Sequence, residues 1–163
     1  MAMHHEREWF LHELGDMLDV ESQLTQLLPD LAQEVHQDEI KLAFLEHAAE
    51  THQQVRNLER CFGVLRTTPK RTLCLAMERL KQEHEHFVRT RPSADFLTMF
   101  DLRGVTRSVR YEIASYQGLI AQAEVMKQPE CVKLLSQNLR QEEAMAQKVA
   151  NFSRELSPQL RPE

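Results

Sequence analysis

The chain has 163 residues, 42% of them hydrophobic and 28% charged, and a net charge of −5. One domain with a sizeable core fits those figures, and the mildly acidic balance argues against a nucleic-acid partner held by phosphate contacts. With 4 glycines and 6 prolines, the chain is too poor in turn formers for a β-rich fold, so an all-α fold is expected.

Residues 1–7 read as an N-terminal arm without an apolar run of signal length, and His4 and His5 are given no role. A first helix is expected over residues 8–36, where Phe10, Leu14, Met17, Leu24, Leu28, Leu31 and Val35 recur at three- and four-residue steps. Pro29 lies inside it, removing a backbone donor and crowding the carbonyl of Thr25, which predicts a kink. The second helix, residues 38–66, carries Ile40, Phe44, Val55, Leu58, Phe62 and Leu65 and stops before Pro69. A long crossover over residues 67–95 follows, with a shorter helix within it from Thr72 to Val88. The third long helix, residues 96–126, has Leu102, Val105, Val109, Ile113, Tyr116, Leu119, Ile120 and Ala123 on one stripe. Pro129 then separates it from a fourth, residues 130–156, with Val132, Leu135, Leu139, Met145, Val149, Phe152 and Leu156. Residues 157–163 are polar and expected to fray.

Short turns make the first and second helices antiparallel, and likewise the third and fourth, so a four-helix bundle is the simplest packing. At about 1.5 Å per residue its helices are roughly 40 Å long. No window approaches about 18 continuous apolar residues, so no membrane span is expected. Cys61, Cys74 and Cys131 are well separated and form no CxxC pair, which suits a reducing compartment and predicts a cytoplasmic protein.

Acidic residues interrupt the apolar stripes. At about 100° per residue, Glu21 falls at the centre of the first stripe and Glu142 at the centre of the fourth. Glu112 lies within about 50° of the third stripe's centre. Glu50 stands at the edge of the second, with His47 and Gln54 further in along the same seam. All four glutamates fall near mid-helix and therefore at one level of the bundle. Buried together they would repel, whereas two divalent cations would balance them, and oxygen donors suit iron or manganese. The metal site read from this pattern is Glu21, Glu50, Glu112 and Glu142, completed by His47 or Gln54 and water. The rival reading makes the same carboxylates solvated or partner-facing.

Other residues receive plainer assignments. His52, His84 and His86 read as surface residues, Tyr111 and Tyr116 as packing, and Cys74 as a buried packing residue. Trp9, Leu27 and Leu134 lie wide of the core stripes and are expected to meet a partner.

Four segments, in order, carry a family resemblance: LGDMLDVESQL with Leu28-Pro29, AFLEHAAETHQQVRNLE, CLAMERL, and YEIASY followed by the acidic stretch Leu139 to Glu143. Over Trp9 to Phe152 the chain resembles the YciF/YciE group of bacterial ferritin-like proteins. The resemblance implies a ferritin-like four-helix bundle, a dinuclear iron site, a homodimer and a link to bacterial stress responses, without an assigned reaction. The chain departs from the family pattern at Val109, Arg110, Arg140 and Ala146, and from ferritins more broadly at Gln53 and Met145. Those departures imply a weaker site, holding one metal, two or none. Two functions follow. One is a metal protein that oxidises iron(II) with O₂ or peroxide; the alternative is a helical dimerisation or interaction protein with a degenerate site.

Overall fold

The structure, a computed structural model, describes residues 5–160, so residues 1–4 of the expected arm and residues 161–163 of the expected tail lie outside it. Five α-helices follow in order: α1 Glu6–Glu34, α2 Asp38–Val64, α3 Leu75–Arg89, α4 Ala94–Val125 and α5 Pro129–Leu156, with a closing 3₁₀ turn Ser157–Gln159. No strand occurs among the described residues. The fold is the ferritin-like four-helix bundle, built from α1, α2, α4 and α5, with α3 on the crossover.

The starts of α4 and α5 have local causes, and that of α3 a tertiary one. α4 starts after Pro92 with Ser93 as its N-cap, whose side chain accepts from the Phe96 amide, and α5 starts on Pro129, whose missing N–H is not needed in a first turn. α1 continues through Pro29 to Glu34. α3 begins three residues later than Thr72 because the preceding segment is tied down extended. The Thr72 amide donates to the Gly15 carbonyl at 3.0 Å, and the Cys74 amide donates to Asp19 Oδ2 at 3.0 Å.

Side-chain pairs fix the directions. Along α2 and α5, Glu46 meets Lys148, Gln54 meets Glu142, Asn57 meets Asn138 and Arg60 meets Glu130, so the two helices run antiparallel. α1 and α4 are antiparallel as well: Glu34 meets Asp101 at one end, Glu21 meets Glu112 near the middle, and Glu13 faces Gly118 beyond it. The long crossover returns the chain to the starting level of α2, which gives an up-down-down-up bundle.

The core is divided. One apolar half contains Leu24, Leu28, Phe44, Leu102, Val105 and Val149, and the other Phe10, Leu14, Leu58, Phe62, Leu119 and Leu135. Polar side chains lie between the two. Of the residues expected to meet a partner, Trp9 is exposed, but Leu27 packs against the first half-core and Leu134 is buried in the second at 2% exposure. Leu134 precedes Leu135 and follows Cys131 by three, so α5 buries a wider stripe than its central residues mark.

Candidate metal centre

At mid-bundle, Glu21, Glu112 and Glu142 are each fully buried, and one carboxylate oxygen from each lies within 4.8 Å of the others. The sequence reading of these three as inward-facing on one level agrees with their position. Glu50 does not join them. It keeps 41% side-chain exposure and faces His47, whose Nδ1 is 3.4 Å from Glu50 Oε2. His47 is itself buried, and its Nε2 stands 3.5 Å from Glu142 Oε2, so the ring lies between the inner cluster and the edge carboxylate. Gln54 donates from Nε2 to Glu142 Oε1 at 2.6 Å.

Tyr116, read as packing, is more than that: its hydroxyl donates to Glu21 Oε1. Asn138 Nδ2 donates to the same hydroxyl at 3.0 Å and to the Gln54 carbonyl at 3.3 Å, while Asn57 Nδ2 donates to Asn138 Oδ1 at 2.7 Å. A buried ladder of amides thus supports the carboxylates from the α2 and α5 side. Sequence reasoning missed it, although Asn57 and Asn138 occupy apolar stripes and Asn138 is one turn before Glu142. Tyr111 instead donates to Asp16 at 2.6 Å, and Cys74 Sγ lies 3.5 Å from the Tyr111 hydroxyl in the buried packing expected of it.

Burial pushes the Glu21 and Glu142 carboxyls up to about 8, and desolvation with repulsion from Glu142 and Glu21 pushes Glu112 well above the carboxylate range. Glu50 goes the other way, lowered by its hydrogen bond to His47. Several donor atoms remain unsatisfied: Glu21 Oε2, both oxygens of Glu112, Glu142 Oε2, His47 Nε2 and Gln54 Oε1 accept or make no hydrogen bond. Buried polar atoms are nearly always paired. These orphaned oxygens fit a hard divalent cation, and an imidazole nitrogen at the edge fits iron, manganese or zinc.

The departures from the family pattern sort themselves by position. Val109 and Met145 are buried in the apolar half-core and Ala146 is 6% exposed within it, so each is apolar filling beside the centre. Arg110 and Arg140 are exposed and remove nothing from the centre, and Gln53 is half-buried on Asn57. His52 and His86 are at the surface as read. His84 is not: it is half-buried between Glu34 and Asp101, which α1 and α4 bring to it across the crossover helix.

The sequence matches the family described as Domain of unknown function (DUF892) over residues 5–159. Protein YciF of Escherichia coli (strain K12) is 29% identical over 145 residues, covering 88% of this chain and 87% of that protein. The crystal structure of the E. coli stress protein YciF superposes with a TM-score of 0.90 at 27% identity, covering 96% of this chain and 99% of that one. YcfI of Rhodopseudomonas palustris, proposed as a structural protein, gives 0.88 at 26% identity over 91% and 95%. The chain therefore belongs to the DUF892 family of YciF-like proteins.

Proposed function

We propose that the protein is a metal-binding member of this family that holds iron or manganese at mid-bundle and uses it against O₂ or peroxide in a stress response, as the name of its E. coli relative suggests. The orphaned oxygens of Glu21, Glu112 and Glu142 carry this reading. These three are the inner ligands, and Glu50 with His47 flanks Glu142, so that a second ion would meet a fourth negative charge. A reduced metal ion would supply electrons to the oxidant. The chain's own residues do the rest. Gln54 fixes Glu142 through Oε1 and leaves Oε2 for the ion, Tyr116 does the same for Glu21, and Asn138 holds the Tyr116 hydroxyl in place. The two apolar half-cores exclude bulk water.

A second reading, an interaction protein with a vestigial centre, is favoured by the apolar packing of Val109 and Ala146 beside the cluster. Metal content decides between the two. Protein produced with iron or manganese should carry metal, and Glu21→Gln with Glu142→Gln should abolish it while circular dichroism shows the helices intact. A double variant that keeps the parent's metal overturns the mid-bundle assignment, and a parent without metal leaves the interaction reading.

A further inference from the structure

Away from mid-bundle, Glu34 on α1, His84 on α3 and Asp101 on α4 bring one ligand atom each within 4.8 Å of one another. His84 Nε2 lies 2.8 Å from Glu34 Oε2 and 3.3 Å from Asp101 Oδ1. A four-coordinate ion with bonds of about 2.0–2.1 Å keeps its ligand atoms about 3.3 Å apart, so the two separations from His84 already stand near the edges of such a shell. Asp101 is 1% exposed, and neither of its oxygens accepts a hydrogen bond. Thr98 Oγ1, one turn earlier on α4, is likewise buried without a partner.

A buried carboxylate that must share one imidazole N–H with a second carboxylate is costly, and two carboxylates facing one imidazole call for more positive charge than a single proton brings. A divalent ion would cancel both carboxylates and leave the imidazole neutral. One nitrogen and two oxygen donors suit the zinc class. A cavity of about 30 Å³ adjoins the cluster, with Leu31, Met77, Phe100 and Val105 on its walls beside His84 and Asp101. A water needs at least about 10–15 Å³, so a fourth, non-protein ligand has room.

The position suggests a purpose. Met77 is the single fully buried residue of α3, with Leu80 packed partly against the core and Phe87 stacked on Phe100 at 4.0 Å, so the crossover helix has only modest apolar anchorage. We propose that Glu34, His84 and Asp101 form a second cation site, independent of the mid-bundle centre, which takes a four-coordinate divalent ion of the zinc class and pins α3 to α1 and α4.

Cobalt(II) is the probe, because it substitutes for zinc and absorbs strongly in the visible when four-coordinate. Titrated into the Glu21→Gln/Glu142→Gln protein, it should give an intense band that saturates at one ion per chain and is bleached by zinc(II). Adding His84→Gln should remove the band. A folded protein without the band, or a band that survives His84→Gln, overturns the proposal. If the glutamate variant does not fold, zinc stoichiometry is compared between the otherwise native chain and His84→Gln alone; loss of one ion per chain supports the site, and an unchanged count overturns it. Since His84→Gln leaves the mid-bundle untouched, failure there shows separately as absent iron or manganese.

Discussion

Gly15 marks the closest approach of the crossover to the bundle. A Cβ there would stand 2.6 Å from the Lys70 carbonyl oxygen and 2.7 Å from Thr72 Oγ1, while Thr72 donates its amide to the Gly15 carbonyl at 3.0 Å. The nearer obstructing atom is a backbone oxygen, and the segment that carries it is tied to α1 two residues on by the Thr72 amide, so it cannot swing aside as a free side chain can. Gly15→Ala should therefore lower stability by roughly 1–3 kcal/mol, despite about 1 kcal/mol of helix propensity in alanine's favour. The check is a urea midpoint that falls with an unchanged slope; an unaltered midpoint would show that the crossover yields freely. At this scale the sequence discloses some residues and hides others for one reason. Glu21, Glu112 and Glu142 are legible because a charge inside an apolar stripe is anomalous on its own helix. Tyr116 is not, because its ring belongs in a stripe and its hydroxyl finds Glu21 95 positions away. Glu34, His84 and Asp101 meet only when three helices are assembled, and no single wheel displays them.

Three helix ends share an unusual chemistry. Arg66, Arg91 and Lys127 follow α2, α3 and α4 with φ of 54°, 54° and 56°, the left-handed conformation that usually belongs to glycine. After α4 the Gln128 amide donates to the Ala123 carbonyl at 2.9 Å and the Lys127 amide to Glu124 at 3.0 Å, closing the end of the helix before Pro129. A side chain in that conformation costs about 1 kcal/mol or more. Exposed Lys127 gives nothing visible in return, so Lys127→Gly should stabilise the protein by about 0.5–1 kcal/mol. Thermal melts check it; an unchanged or lower Tm would mean the capped turn carries no strain. The helix boundaries near Pro69, Pro92 and Pro129 were legible from those prolines, whereas α1 runs through Pro29 without ending. The start of α3 was not, since Thr72 and Cys74 are held extended by acceptors on α1 rather than by any local signal. The burial of Leu134 escaped notice too, because the width of a stripe depends on the neighbours that cover it.

Across the whole molecule, a polar layer separates two apolar half-cores, and the metal-free chain must hold that layer by protonation. Glu21 and Glu142 rise from 4.5 to about 8 through burial, and Glu112 rises further by the same cause with its two neighbours' repulsion added. His84 rises from 6.5 to about 9 beside Asp101 and Glu34. In every case the folded pKa exceeds the unfolded one, so the folded chain holds protons that the unfolded chain has already released. Stability from the glutamates is then complete below about pH 4.5 and lost as pH climbs toward about 8; that from His84 is lost between about 6.5 and 9. Glu50, lowered by His47, acts in the opposite sense, but only on the acid side of its ordinary 4.5. The metal-free protein should accordingly melt roughly 5 °C or more lower at pH 8 than at pH 5. Glu112→Gln, which keeps the shape and removes one titration, should flatten part of that slope while weakening metal uptake. Saturating manganese(II) should raise Tm most at the alkaline end, where the carboxylates are readiest to exchange protons for a cation. Melting curves of chelator-treated and metal-loaded protein across this range are the measurement, and a metal-free Tm flat between pH 5 and pH 8 would mean that the mid-bundle glutamates are not desolvated.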